Sequence, residues 1–173
     1  MKKLFLSAIM LLGLAWSTQA QDFSKNALGL RLGDNDGFGG EVSYQRGLSK
    51  NNRLELDLGW RNSQSIDAAK LIGVYQWVWE IQNNFNWYAG PGVGIGHWNY
   101  NGPGSSDPDG GTFLVATGDI GIEYKFDIPI QISFDLRPEI YLGDSRKDYG
   151  DNNNNYNYHS FAPDFGISVR YTF

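Results

Sequence analysis

The stretch that most constrains this chain is its last thirteen residues, Phe161 to Phe173, which read F-A-P-D-F-G-I-S-V-R-Y-T-F. Phe161, Pro163, Phe165, Ile167, Val169, Tyr171 and Phe173 are apolar; the residues between them, Ala162, Asp164, Gly166, Ser168, Arg170 and Thr172, are small or polar. Successive side chains of a strand point to opposite faces, so this pattern builds a strand with one apolar and one polar face. The strand ends on an exposed-type aromatic. Such an end suits a strand whose apolar face meets lipid and whose terminus lies in an interfacial aromatic girdle.

The same two-faced alternation recurs upstream, giving eight segments in all. About Lys25 to Leu32, the residues Leu28, Leu30 and Leu32 oppose Gly29 and Arg31. About Gly40 to Gly47, Val42 and Tyr44 oppose Glu41, Ser43 and Gln45. From Arg53 to Arg61, Leu54, Leu56, Leu58 and Trp60 oppose Arg53, Glu55, Asp57, Gly59 and Arg61. About Ala68 to Ile81, Leu71, Tyr75, Trp77 and Trp79 oppose Lys70, Gln76 and Glu80, and this register sends Ile72, Val74 and Val78 to the polar face. About Asn86 to Trp98, Trp87, Ala89, Pro91, Val93 and Ile95 oppose Tyr88, Gly90, Gly92, Gly94 and Gly96. About Thr112 to Lys125, Leu114, Ala116, Ile120, Ile122 and Tyr124 oppose Thr117, Asp119, Glu123 and Lys125. About Ile130 to Leu142, seven alternate apolar residues oppose Gln131, Ser133, Asp135, Arg137, Glu139 and Tyr141. The row of glycines leaves room for bulky neighbours inside a narrow barrel. Pro91, Pro138 and Pro163 fall within proposed strands, where a proline removes a ladder donor, so local breaks in pairing are expected there.

The connections also alternate. Gly33–Gly39, Asn62–Asp67, Trp98–Gly111 and Gly143–Ser160 are polar loops; Leu48–Asn52, Gln82–Phe85 and Phe126–Pro129 are short turns. That alternation is what an even-stranded up-and-down barrel with both termini on the turn side requires. A strand of about 10 residues tilted about 45° covers roughly 23 Å, close to the lipid band of such barrels. The reading is therefore an all-β, eight-stranded antiparallel transmembrane β-barrel.

The start of the chain agrees with export. Lys2 and Lys3 precede an apolar run from Leu4 to Trp16, then Ser17-Thr18-Gln19-Ala20. This is the layout of a secretory signal peptide over 1–20, and the run falls short of the ~20 residues that span a bilayer. Residues 21–173 then form one barrel domain. The chain has no cysteine, which removes lipoprotein processing and disulfides. Its formal charge of −5 becomes more negative when Lys2 and Lys3 leave, which argues against nucleic acid as a partner.

The polar faces together carry Arg31, Glu41, Arg53, Glu55, Asp57, Arg61, Lys70, Glu80, Asp119, Glu123, Lys125, Asp135, Arg137, Glu139, Asp164 and Arg170. An eight-stranded barrel is only wide enough for side chains to fill it, and buried charges must pair. The expectation is a lumenal charge network that is structural; a narrow ion path is the functional alternative. Catalysis has little support. Neither His97 nor His159 falls in the periodic part of a strand, Ser160 directly follows His159 and so points to the opposite face of an extended chain, and no G-x-S-x-G occurs. Asp34-Asn35-Asp36-Gly37 and Asp107-Pro108-Asp109-Gly110 look like calcium loops only in composition, and Gln45 stands where an EF-hand starting at Asp34 needs a glutamate. They read as turns, so no metal and no cofactor is expected. The run Asp148–Tyr158, D-Y-G-D-N-N-N-N-Y-N-Y, reads as a solvated loop or as an adhesive surface offering tyrosine and asparagine contacts.

The cleavable leader, W-Y-A-G-P-G-V-G-I-G at Trp87–Gly96, S-F-D-L-R-P-E-I-Y-L-G at Ser133–Gly143 and the final S-V-R-Y-T-F resemble the small outer-membrane β-barrel family, which includes the OmpA membrane domain, OmpX and the Ail-type adhesion proteins. The resemblance covers essentially all of residues 21–173. It implies a location in the bacterial outer membrane and lipid as solvent. It implies assembly by the outer-membrane insertion machinery, which reads the terminal strand, with Tyr171 and Phe173 as the signal. It implies a non-enzymatic envelope-structural or surface-contact role through loops 98–111 and 143–160. A small pore, or a soluble lipocalin-like barrel with its apolar face turned inward, are the alternatives.

Overall fold

In a computed structural model, residues 25–33, 39–62, 66–100, 109–142 and 161–173 are described. They form eight strands: β1 (Asn26–Gly33), β2 (Gly40–Gly47), β3 (Asn52–Asn62), β4 (Ile66–Gln82), β5 (Phe85–Tyr100), β6 (Asp109–Lys125), β7 (Ile130–Leu142) and β8 (Phe161–Thr172). Each pairs antiparallel with its sequence neighbours, and β8 returns to β1, closing the barrel. Closure removes the sheet edges, so backbone polar groups are satisfied within the sheet. At the seam Asn26 and Phe173 exchange both backbone hydrogen bonds, each at 2.9 Å.

The turn side follows from local chemistry. Asn83 and Asn84 form a two-residue connection with φ of 33° and 60°; asparagine tolerates this left-handed region, and the tight hairpin needs it at both positions. The wall heights differ. β1 and β2 have 8 residues each, whereas β4 and β6 have 17 and β5 has 16. Trp98–Tyr100 and Asp109–Gly111, which the sequence reading placed in a loop, pair with each other in the extended β5–β6 hairpin. They can do so because a two-stranded ladder satisfies backbone groups even where the barrel wall beside it is lower.

The prolines behave in two ways. The β4–β5 ladder passes from Val74–Gly92 to Trp77–Ala89, skipping the positions opposite Pro91 and Gly90. The β6–β7 ladder passes from Thr117–Glu139 to Ile120–Leu136, skipping those opposite Pro138 and Arg137. The Thr117 hydroxyl donates to the Pro138 carbonyl at 2.9 Å, satisfying a group the broken ladder releases. Pro163 pairs with Pro138 and lies beyond the last described β1–β8 pair, Gly33–Gly166.

The outer surface is apolar. Leu30 is 58% exposed, Val93 71% and Ile167 54%, amid a belt that includes Leu28, Leu58, Leu71, Ile95, Leu114, Ile120, Phe134 and Val169. On the turn side this belt ends in aromatics: Trp79 stacks on Trp87 at 4.3 Å, and Tyr124–Phe126 and Tyr171–Phe173 form further ring pairs. The lipocalin-like alternative requires the reverse sidedness and is overturned by this arrangement.

Candidate functional site

The interior is the candidate site, and it is filled. Arg31, Arg137 and Arg170 are 0% exposed, and Glu41, Arg53, Glu55, Asp57, Lys70, Asp119, Glu123, Asp135, Glu139 and Asp164 are buried with them. They face inward because each occupies the polar parity of its strand, and closure turns that parity toward the axis.

Around mid-lumen, Arg31 on β1 donates to Asp135 on β7 at 2.5 and 3.0 Å, to Asp164 on β8 at 2.6 Å and to Glu41 on β2 at 3.2 Å. The guanidinium lies over Gly166, where any side chain would collide with it. Arg137 on β7 reaches across the lumen to Glu55 at 2.9 Å and Asp57 at 2.8 Å, both on β3, and lies 3.6 Å from Glu41. Lys70 on β4 meets Glu139 on β7 at 3.0 Å and Glu41 at 3.6 Å. Glu41 thereby joins three cations from three strands. Planar guanidinium forks suit this task, since one group can serve several carboxylates at once.

Toward the turns the network becomes mixed. Arg53 pairs with Glu123 at 2.5 Å, donates to Gln76 and lies 4.6 Å from the Tyr88 ring centre. Gln131 donates to Glu123 at 2.8 Å and to Gln45 at 3.2 Å; Gln45 in turn donates to Glu55. Arg170 meets Glu55 at 3.1 Å and donates to Ser43 and Ser133. Asp119 takes its hydrogen bond from the Gln76 amide. These links tie β3 to β6, β7 and β8 through the lumen, so the barrel is braced across its axis as well as around its wall.

Along β4–β6 the filling is different. Ile72, Val74 and Val78 are completely buried, with Phe113 and Val115 beside them. They occupy the space left by the glycine row: a Cβ on Gly94 would fall 2.9 Å from Ile72 Cγ1, one on Gly92 2.9 Å from Val74 Cγ2, and one on Gly96 would enter the Phe113 ring. Tyr88 covers Gly121 in the same way on the cross-strand pair they form. Sequence reasoning sent the β4 aliphatics to the inner face and saw room beside the glycine row, but did not join the two into an apolar part of the interior. Ile72, Val74 and Val78 share a face with Lys70 and Gln76, and glycines oppose the first two on β5, Gly94 to Ile72 and Gly92 to Val74, while Tyr88 opposes Val78.

Three of the proposed lumenal charges differ from the rest. Glu80 is exposed at the turn-side rim, because its partner Asn86 is the last buried position of β5 on that face. Lys125 is half-buried at the same end, opposite Gln131. The Arg61 side chain lies outside the described residues. His97 lies within β5 and continues its alternation, facing outward in step with Val93 and Ile95, and contacts Thr112 at 3.2 Å and Asn99 at 3.1 Å. His159, the signal region 1–20, loop 143–160 and Asp34–Gly37 lie outside the described residues. Among the described residues no cluster of His, Cys, Asp or Glu is arranged to hold a metal ion.

No protein-family model matches the chain, and no curated protein matches it either. Solved structures do. The N-terminal β-barrel domain of Pseudomonas aeruginosa OprF is 14% identical, covering 90% of this chain and all of that one, with a TM-score of 0.58. Neisserial surface protein A, NspA, is 10% identical, covering 86% and 94%, with a TM-score of 0.55. The attachment invasion locus protein Ail of Yersinia pestis is 15% identical, covering 86% and 96%, with a TM-score of 0.45. The fold is thus that of the small eight-stranded outer-membrane β-barrels.

Proposed function

We propose that this chain is an integral protein of a bacterial outer membrane with a non-enzymatic, envelope-structural or surface-contact role, and that it does not conduct. The observation that carries this reading is the pairing of an apolar outer belt with a lumen filled by side chains that are fully buried and cross-linked. A belt of this kind is stable only in lipid. Arg31, Arg137 and Arg170, buried within the lumen and each held by carboxylates or hydroxyls, support the non-conducting reading. The rigid barrel then serves to anchor and display its loops, where binding is most readily placed. Tyr171 and Phe173, at the closing seam with β1, are the proposed assembly signal for the insertion machinery.

Fractionation combined with heat-modified gel mobility tests the membrane assignment: the protein is expected in the outer-membrane fraction with a mobility that shifts on boiling, and recovery in the soluble fraction overturns it. Planar-bilayer recording is expected to show no steady conductance; stable unitary currents would establish the pore instead. Replacing Asp148–Tyr158 by a short Gly/Ser linker is expected to leave the barrel folded and reduce binding to matrix, glycan or cell surfaces. Full binding by the replaced protein would put the contact elsewhere.

A further inference from the structure

Among the described residues, the outer belt carries a recess beside Gly40. Leu32 on β1 pairs laterally with Gly40 on β2, and Trp60 on β3 stands one step beyond the last β2–β3 pair, Glu41 with Gly59. Three adjacent strands therefore present a large, an absent and a large side chain in one row on the outer face. A Cβ at Gly40 would meet only Leu32 Cδ2, at 3.8 Å. The resulting notch of about 260 Å³ is lined by Leu30, Leu32, Gly40, Glu41 and Trp60. The Glu41 side chain is turned inward to Arg31, so the walls that face outward are aliphatic and indole carbon. The volume is at or below the small end of the range for whole-ligand pockets, so the notch suits part of a chain rather than a compact molecule.

We propose that this notch seats one acyl chain of a lipid in the loop-side leaflet. The inference rests on the membrane assignment above. Its own support is continuity: below the notch, Leu30 and Leu58 are 58% and 46% exposed and lead directly into the lipid-facing belt. Its upper end coincides with the end of the short β1–β2 wall and is marked by Trp60, an amphipathic ring of the type that settles at the membrane interface. A chain entering from the interface lies along Trp60 and Leu32 and passes down onto Leu30. Covering Gly40 in this way removes from the boundary a void that free-running lipid would fill less tightly.

The test uses the full mature chain folded into phosphatidylcholine vesicles, with and without bromine on the lipid acyl chains, and reads tryptophan quenching. The Trp60 component is isolated by comparison with Trp60→Phe. Gly40→Leu fills the notch from its floor, where a Cβ meets only Leu32 Cδ2 at 3.8 Å, and Leu32→Phe fills it from the other side if the first variant fails to fold. The expected result is strong quenching of Trp60 in the parent, reduced at least twofold by filling the notch, while the quenching that remains in Trp60→Phe, from Trp77, Trp79, Trp87 and Trp98, is unchanged. Equal Trp60 quenching in the parent and the filled variants overturns the notch and leaves the membrane assignment standing. Absence of quenching at every tryptophan overturns both.

Discussion

Two sides of the same lumen are filled by opposite strategies. Against β1, β2, β3, β7 and β8 the interior is charged, and long side chains reach across to partners on distant strands, as Arg31 does to Asp135 and Arg137 to Asp57. Along β4–β6, apart from Lys70, Gln76, Asp119 and Glu123, which join that network, it is glycine backed by aliphatic and aromatic groups, as with Ile72 over Gly94 and Phe113 over Gly96. The first strategy tolerates imperfect shape but not a missing partner, because an unpaired buried charge loses its solvation without compensation. The second tolerates loss of a methyl group but not added volume, because the void on β5 is already occupied.

The charged side offers the largest expected effect. Arg137→Ala takes from Asp57 its 2.8 Å partner and leaves Glu55 to Arg170, and is expected to destabilise the folded barrel by about 3–5 kcal/mol in denaturant titrations from vesicles. A loss below about 1 kcal/mol would mean that the network is not the brace inferred here. Carried to the outer face, the comparison predicts that Leu56→Arg and Ile167→Arg each cost about 2–4 kcal/mol in bilayers, since an arginine there meets hydrocarbon rather than partners. Unchanged stability for both would reverse the sidedness.

The glycine side should respond to volume in the opposite sense. Gly94→Ala places a methyl group 2.9 Å from Ile72 Cγ1 and is expected to cost about 1–3 kcal/mol, with the double variant Gly94→Ala, Ile72→Ala, which removes that carbon, costing less than the sum of the two single variants. Additive losses in the double variant would show that the two positions do not share one space. Smallest of all, Ile72→Val alone is expected to cost about 0.5–1.5 kcal/mol, read from the same unfolding midpoints. A loss as large as that of Arg137→Ala would erase the distinction between the two sides.

Much of this was legible in the chain because period-two alternation is a local property. β2 begins and ends at the residues the alternation marks, Gly40 and Gly47, and the inward positions of β7, from Gln131 to Glu139, follow from the same count. The difficulty on β4 was of another kind. Its three inward aliphatics looked misplaced until β5 closed over them, because the glycines that accept Ile72 and Val74 lie on a different strand and only the register aligns them. Likewise Trp98–Tyr100 and Asp109–Gly111 are polar and glycine-rich enough to pass for loop, and pairing with each other made them strand.

What the sequence determined by itself is the sidedness of each strand, the order of strands and turns, and the chemical character of the two faces, since each depends on residues within a few positions of one another. What only the tertiary structure decided is which groups meet across the lumen. Arg31 and Asp135 are 104 residues apart, and Arg53 and Glu123 are 70 apart. No local pattern encodes such pairs; they come from the stagger of eight strands at closure, which sets the height of every inward side chain. The notch beside Trp60 has the same origin, because Gly40 becomes a recess only when β1 and β3 bring Leu32 and Trp60 to either side of it.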